Sequence, residues 1–396
     1  MILDPRHFRI DDLLRRPYTP TTPFGPSGDH LWAGTPPWGW GFRQDVHWVR
    51  RTTDTGLAPY TLRIFADERE VEPADGLHRP SHATLHARDD ETGLQVTEDK
   101  FITQDDVAVS VLSLRNPEEI GIDIRVDLRY GVKAGEHHFL PDGDPVYVHR
   151  EGPPGDNLRQ MLHGGARQTL VVAVAFAPAE AEAVLRAARW ARAASPVREQ
   201  AEAYQAWFTK HVPLFDCPDP WLTKLWYHGW HLVRKQSTQA QIPPLPGGNR
   251  QWAALGDGAA QADQLFSAVR SWAMDQFEDG DYARPRESAL AGVWLEALVG
   301  GVVGLASCGG GAATSLPVRP HVPRAGDGGW PHFCLENVAC AGRRLTVVWD
   351  DPESPGDVYD DGDKGLTVYV DGRRAHHQQG LASFTAPLPQ EDLSQD

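Results

Sequence analysis

The sequence predicts a multidomain fold of α and β structure, with strands at both ends and helices between them. Three observations carry this prediction. Before residue 177, apolar and polar residues alternate along several stretches, which is the period of half-buried antiparallel strands. From Pro178 the sequence becomes rich in Ala, Glu and Arg, with apolar residues at helical spacing. Alternation returns after Leu316, in RLTVVWD and LTVYVDG.

The N-terminal strands are predicted to form a β-sandwich over residues 45–177, because several short alternating strands separated by turn residues are typical of that architecture. In VAVSVLSLRN, alternate valines share one face. In IGIDIRVDLRYG, every second residue from Ile120 to Leu128 shares one face. Residues 1–44 are rich in Pro, Gly and Trp, so they are predicted to be an irregular lead-in segment that wraps a neighbouring part of the protein.

The helical part begins with two predicted linker helices over residues 178–217, separated by Pro196. Further helices are predicted over 218–313, and the first of them has prolines at its start, where proline is tolerated. A small β-sandwich is expected over 314–388, followed by a polar tail over 389–396.

Within the C-terminal sandwich, the strand with Trp349 is predicted to pair with the strand with Tyr369. Both strands alternate, and a turn-rich segment joins them. Their alternate side chains are expected to be buried against the last helix.

Charge and composition narrow the class of partner. The chain has 396 residues, 38 Lys plus Arg and 54 Asp plus Glu, which gives a net charge of −16. This balance argues against a nucleic-acid partner and against an anionic membrane surface. No apolar run has the length of a membrane span, and the N-terminus lacks a secretory signal pattern, so a cytoplasmic location is expected.

The cysteines and histidines do not predict a metal site. The four cysteines lack the spacing of zinc ligands and are expected to be buried free thiols. Adjacent histidines on a strand point to opposite faces and do not chelate one ion. Neither a metal nor another cofactor is therefore expected. The cysteines are Cys217, Cys308, Cys334 and Cys340.

Three stretches resemble the six-hairpin (α/α)6 glycoside hydrolases, in particular mannosylglycerate-hydrolase-like and family-63-like enzymes. VPLFDCPDPWLTKLWYHGWHLVRKQ is similar to the linker and the first barrel helix of that family. WLEALVGGVVGL is similar to a late barrel helix. FCLEN followed by LTVVWD is similar to two strands of the C-terminal sandwich, and this motif is the most specific part of the resemblance.

The resemblance implies an (α/α)6 toroid of twelve helices between the two sandwiches. Twelve helices with their loops need roughly 200 residues or more, and residues 178–316 offer only five predicted helices. Much of the barrel is therefore expected to be missing. Three barrel-like helices, at 219–236, 259–278 and 291–306, are expected to form an incomplete arc, and self-association through its exposed face is a predicted consequence.

The resembled family hydrolyses glycosidic bonds with inversion, using a general acid and a general base. By this resemblance, RPRESALAG aligns Glu287 with the base, although the usual polar residues after it are replaced. An exposed glutamate before a helix is the alternative. Asp257 in WAALGDGAAQ is the remaining candidate for the acid, and a helix N-cap is the alternative for it.

Four residues are candidates for substrate binding. Trp226 and Trp230 are four apart on one helix face, and sugars stack on tryptophan; core packing is the alternative for both. Arg234 ends the same helix, where a cation suits the negative end of the dipole, or it pairs with a carboxylate in an active site. Trp252 lies near Asp257 in the sequence.

The functional prediction is a glycoside hydrolase homologue. The resemblance implies inverting hydrolysis of a small α-linked glycoside, impaired in this chain by the missing barrel helices, with a carbohydrate ligand and no cofactor. Whether the chain is an active enzyme stays open at this point. The alternatives are a non-catalytic carbohydrate-binding protein and a structural remnant.

Overall fold

The computed structural model describes most of the chain on either side of residues 237–297. It gives a β-rich, multidomain architecture of antiparallel sheets, with four α-helices and one π-helical turn among the described residues. The described residues are 2–3, 9–19, 28–33, 38–43, 46–48, 56–139, 144–153, 157–236, 298–305, 315–320, 324–325, 328–340, 342–359 and 363–387.

The strands before residue 178 form two large sheets and one small sheet. In chain order they are β1 (Arg16–Pro17), β2 (Leu31–Ala33), β3 (Gly41–Phe42), β4 (Val46–Trp48), β5 (Gly56–Leu57), β6 (Tyr60–Ala66), β7 (Arg69–Glu70), β8 (Asp75–His78), β9 (Ala83–Arg88), β10 (Gln95–Ile102), β11 (Val107–Arg115), β12 (Ile122–Arg129), β13 (Gly135–His137), β14 (Val146–Glu151), β15 (Asn157–Leu162) and β16 (Arg167–Ala177).

The two large sheets enclose one hydrophobic core. The first has the strand order β1-β8-β9-β10-β11-β16-β14-β13, and the second has the order β15-β12-β6-β3, with β7 paired to β6. Ile64 and Val126 from the second sheet lie in the same core as Leu85 and Leu112 from the first. Alternate residues of each strand enter this core, as expected for packed antiparallel sheets.

Four α-helices are described: α1 (Ile10–Leu13), α2 (Glu180–Ala191), α3 (Pro196–His211) and α4 (Pro220–Gln236). Pro196 opens α3, which confirms its predicted role in separating two helices. Pro220 likewise opens α4, where its missing N–H has no intrahelical partner to lose. A π-helical turn covers Leu298–Val302.

Helix α2 covers the outer face of the eight-stranded sheet. Val107 and Val109 share a face, as the alternation predicts, and they pack with Trp190 of α2 rather than in the sandwich core. The ring of Phe101 meets Trp190 edge-on at 5.5 Å. Strands β10 and β11 are therefore buried on both faces in this region.

The remaining strands belong to the C-terminal part of the chain. They are β17 (Leu214–Asp216), β18 (Ser315–Val318), β19 (Arg324–Ala325), β20 (Gly328–Gly329), β21 (His332–Cys340), β22 (Arg343–Asp350), β23 (Gly365–Val370), β24 (Arg373–Gln378) and β25 (Phe384–Pro387). Their main sheet has the order β17-β21-β22-β23-β24, and β18 pairs with β25.

Pairing within this sheet follows the sequence prediction for its central strands. Thr346 lies opposite Tyr369, and Trp349 lies opposite Leu366, so the Trp349 and Tyr369 strands are neighbours. Val347 and Leu366 share one core with Trp226 of α4 and with the π-helical turn. Strand β17 was not predicted: the end of the linker forms an edge strand of the C-terminal sheet instead of continuing as a helix.

Two predictions are wrong. Ile120 is 80% exposed, and its strand begins at Ile122. The reason is that the Asn116 side chain donates to the Ile120 carbonyl at 2.7 Å, which holds the preceding residues in a turn. Cys340 is disulfide-bonded, whereas Cys217 and Cys334 are buried and not in a disulfide, as predicted. Spacing along the chain does not reveal which cysteines a fold brings together.

The described part of the lead-in segment contains α1 and short strands, two of which extend the large sheets: β1 pairs with β8, and β3 pairs with β6. The predicted helix 259–278, half of 291–306 and Cys308 lie outside the described residues, and the helical toroid is not confirmed. Among the described residues, no helix combines the length and the apolar character needed to cross a membrane.

Candidate functional site

Helix α4 carries the three described candidates for substrate binding. Trp226, Trp230 and Arg234 follow one another at intervals of four residues and form one stripe along the helix. The other candidates, which are Glu287, Asp257 and Trp252, lie outside the described residues. The assigned roles of all six residues stay predictions.

The first half of α4 is fixed to the linker strand. Asp219 caps the helix, because its Oδ1 accepts a hydrogen bond from the backbone N–H of Trp221 at 2.9 Å. Trp226 is fully buried, and its indole N–H donates to the Pro213 carbonyl at 2.8 Å. The Tyr227 hydroxyl accepts from the Phe215 N–H at 2.9 Å and contacts its carbonyl at 3.1 Å. These contacts anchor the helix.

The second half of α4 packs polar groups against α3. The Tyr204 hydroxyl lies 2.6 Å from Nδ1 of His231, and both residues are buried. The Arg234 guanidinium lies 3.9 Å from the Tyr204 ring centre and 4.3 Å from that of Trp207. Arg234 is thus held over two aromatic rings, an arrangement that suits a planar cation.

Burial governs the ionisation of these groups. It raises the pKa of Tyr204 well above its ordinary value, so the phenol stays protonated and available as a donor. Burial also lowers the pKa of Arg234, while Tyr204 and the Asp29 carboxylate act in the opposite direction. A guanidinium nevertheless remains charged at neutral pH, because its ordinary pKa is above 12.

A row of rings continues from His231 into the N-terminal sandwich. The His231 ring lies 6.2 Å from that of His228 on the same helix and 6.4 Å from that of His78 on β8. The Tyr18 ring lies 6.4 Å from His78 and 5.5 Å from Trp38 in the lead-in segment. Polar aromatic side chains from the lead-in segment, the sandwich and two helices therefore meet at one boundary.

The indole N–H of Trp230 differs from that of Trp226. Trp230 is 3% exposed, and its Nε1 has no hydrogen-bond partner in the described structure. A buried donor without an acceptor costs about 1–3 kcal/mol. Such a donor, one turn from Arg234 and 6.0 Å from the Trp226 ring, is suited to an oxygen atom of a ligand.

Sequence reasoning missed Tyr204, His228, His231 and His78. A signal was present for the two helical histidines, because residues 228 and 231 are three apart and therefore neighbours on the helix surface. No local signal pointed to Tyr204 or His78, which come from a different helix and from the sandwich.

Asp11, Ser81 and His82 also come together but do not form a nucleophilic triad. The Ser81 hydroxyl lies 2.5 Å from Asp11 Oδ2 and 2.7 Å from His82 Nδ1. The serine hydroxyl therefore stands between the carboxylate and the imidazole, whereas a catalytic base needs to receive the hydroxyl proton and to be oriented by the carboxylate. The three residues connect helix α1 to the β8–β9 turn.

No group of three or more potential metal ligands occurs among the described residues. No protein-family model matches the chain, and no curated protein matches it.

Among the solved structures that resemble the chain, two show how weak the resemblance is. One is described as a kojibiose phosphorylase from the human microbiome, with 8% identity, a TM-score of 0.40 and coverage of 57% of this chain and 42% of that one. The other is a sialidase, with 12% identity, a TM-score of 0.29 and coverage of 82% of this chain and 57% of that one. The chain spans less than two thirds of the length of either.

Proposed function

We propose that the chain is a homologue of the six-hairpin glycoside hydrolases that binds a small α-linked glycoside at helix α4 and hydrolyses it with inversion. The FCLEN and LTVVWD motifs support the family assignment. In this proposal Glu287 is the general base and Asp257 is the general acid. An inverting pair needs its carboxyl groups roughly 6.5–9.5 Å apart, which leaves room for the attacking water.

The observation that carries the binding part of the proposal is the buried Trp230 N–H. A sugar hydroxyl or ring oxygen supplies the acceptor that this donor lacks in the described structure. Arg234, held over Tyr204 and Trp207, adds a second donor on the same helix stripe. The Trp226 ring packs beside Trp230 but does not offer a donor, because its own N–H is already bonded to the Pro213 carbonyl.

The proposal also includes the absence of part of the helical barrel. With part of the helical toroid missing, turnover is expected to be slower than in a complete enzyme, and self-association through the open helical face is expected. A cytoplasmic location stays a prediction. Disulfides are rare in the reducing cytosol, so the disulfide at Cys340 counts against it.

Calorimetry and hydrolysis assays on a panel of small α-glycosides test the proposal. Trp230→Phe keeps most of the ring area and removes the N–H, so it is expected to weaken binding by about two- to tenfold, the effect of one hydrogen bond. Trp190→Phe is the matched control, because Trp190 is also 3% exposed but belongs to α2 and packs on Phe101 of β10. It is expected to leave affinity unchanged.

The catalytic assignment is tested separately. Glu287→Gln is expected to lower turnover by about 10²–10⁴, the usual contribution of a general base, while binding persists. An unchanged rate in this variant shows that Glu287 is not the base. Binding without turnover in the parent protein identifies a non-catalytic carbohydrate-binding protein, and absence of binding to every glycoside refutes the proposal.

A further inference from the structure

The small sheet formed by β2, β4 and β5 is attached to the edge of the N-terminal sandwich. Leu31, Val46 and Leu57 from its three strands are buried in the sandwich core. Trp48 is the last residue of β4, and its ring stacks on Phe176 of β16 with the ring centroids 5.8 Å apart. These contacts are apolar, and they occupy one side of the small sheet.

The Asp106 carboxylate provides most of the polar contacts of this attachment, and the Asp29 N–H adds a hydrogen bond to the Gln104 carbonyl at 2.9 Å. Asp106 is 3% exposed, and its Oδ1 accepts the backbone N–H groups of His30 and Leu31, both at 2.8 Å. Its Oδ2 lies 2.9 Å from Nδ1 of His30. The fit is close: a Cβ on Gly28 would lie 2.2 Å from Asp106 Oδ1, so only glycine is accommodated there.

The charge of His30 determines how strong this attachment is. Its ring is stacked on Trp48, with centroids 5.1 Å apart and planes 17° from parallel, and an imidazolium is attracted by the face of an indole. The Asp106 and Asp29 carboxylates favour the cation, whereas Arg186 and partial burial oppose it. The net result is a raised pKa for His30, with the Asp106 hydrogen bond as the largest cause.

We propose that His30 is a proton-dependent clamp. Its protonated ring holds the small sheet against the sandwich through Asp106 and Trp48, and loss of the proton to solvent loosens the sheet. When the small sheet is attached, the pKa of His30 is higher than its ordinary value of 6.5. The stabilisation of the attached sheet by the charged ring is therefore fully present below pH 6.5, and it is lost as pH rises through the higher pKa of the attached state. The clamp therefore tightens in acid.

The segment that carries the clamp acts on the candidate site through its charge. Asp29, which precedes His30 in the chain, favours the charged form of Arg234 on helix α4. A shift of the segment that carries Asp29 and His30 would change the charge facing Arg234. The clamp itself does not depend on the proposed function, because it is defined by contacts within the sandwich.

Amide hydrogen exchange at about pH 5.5 and about pH 8, corrected for intrinsic rates, tests the clamp. The amides of β2 and β4 are expected to be about two- to fivefold better protected at the lower pH, which is the range of a half-exposed ion pair. In His30→Gln this pH dependence is expected to disappear. His163→Gln replaces an exposed histidine near the opposite end of β11 and is expected to keep it.

A titration of His30 by nuclear magnetic resonance gives an independent readout. Asp106→Asn keeps an oxygen for the two backbone N–H groups but removes the charge, so it is expected to lower the midpoint for His30 while the fold persists. Equal protection of the small sheet at both pH values in the parent protein overturns the proposal. So does an unchanged pH dependence in His30→Gln.

Discussion

Lys100 and Glu98 form an ion pair inside the N-terminal sandwich, and replacing the lysine by methionine tests how much of the fold depends on it. Both side chains are 0% exposed, and Lys100 Nζ lies 3.8 Å from Glu98 Oε2. Nζ also donates to the carbonyls of Gly39 at 2.7 Å and Gly41 at 3.1 Å. The pair stands on β10 of one sheet, and Gly41 belongs to β3 of the other.

Glu98 is held by strand β3 as well, and by Ser110 of β11. Its Oε1 accepts the Gly41 N–H at 2.8 Å and the Ser110 hydroxyl at 2.6 Å. Burial raises the pKa of Glu98, and it lowers the pKa of Lys100 to about 8. The ammonium is therefore still mostly charged at neutral pH, and replacing Lys100 leaves Glu98 buried without its cationic partner.

The expected magnitude follows from these contacts. Removing one partner of a buried pair costs about 3–5 kcal/mol, and a domain has a total stability of about 5–15 kcal/mol. Lys100→Met is therefore expected to remove a large part of the free energy of unfolding of the sandwich. The double variant with Glu98→Gln is expected to cost only about 1–3 kcal/mol, because the amide oxygen still accepts from Gly41 and no charge is buried.

Denaturant unfolding followed by tryptophan fluorescence measures this difference, since Trp40 lies in the sandwich core and Trp38 packs against it, on either side of Gly39, whose carbonyl accepts from Lys100. Arg88→Met is the control: Arg88 forms an exposed contact with Glu118 at 4.0 Å, and such pairs contribute at most about 1 kcal/mol. The reasoning is refuted if Lys100→Met costs no more than Arg88→Met. It is also refuted if the double variant is as unstable as the single one.

Two further predictions concern a buried histidine and a carboxylate that binds the backbone near the N-terminus. Burial lowers the pKa of His82 to about 4, so the folded state binds fewer protons and its stability should fall between pH 6.5 and about 4, by up to about 1.4 kcal/mol per pH unit. Denaturant titrations should show a shallower fall in His82→Gln, and equal slopes would contradict this. Glu336 accepts the N–H groups of Ile2 and Leu3 at 2.8–3.1 Å. Glu336→Ala should therefore reduce exchange protection of these two amides about tenfold or more, and unchanged protection would show that other contacts hold them.

The alternation of apolar and polar residues predicted the strands that have one face in the core and the other face at the surface. The residues from Ile122 to Leu128 alternate between the sandwich core and the outer surface, so their period of two is visible in the sequence. The Trp349 and Tyr369 strands were paired correctly for the same reason. The prolines that open α3 and α4 gave the helix starts, because proline is compatible with the first turn and not with the interior.

Predictions failed where a single distant or side-chain contact decides the local structure. The Asn116 amide ends the alternation before Ile122, although the pattern extends through Ile120. Strand β17 exists because Leu214–Asp216 pairs with β21, more than a hundred residues away. The ion pair of Glu98 and Lys100 had a visible signal, since both lie at inward positions between Val96 and Ile102, but β-propensity alone treats charged residues as outward-facing.

The candidate site shows the same limit within one helix. Trp226 and Trp230 are the same residue type on the same stripe, and both are almost fully buried. Their indole groups differ because the linker turns back at Pro213 and brings a carbonyl to Trp226, whereas no acceptor reaches Trp230 in the described structure. A helical pattern specifies which face a side chain occupies, but the acceptor for its N–H comes from another segment. The distinction between an anchoring tryptophan and a ligand-binding one therefore depends on tertiary contacts, and Trp230→Phe is the substitution that separates the two roles.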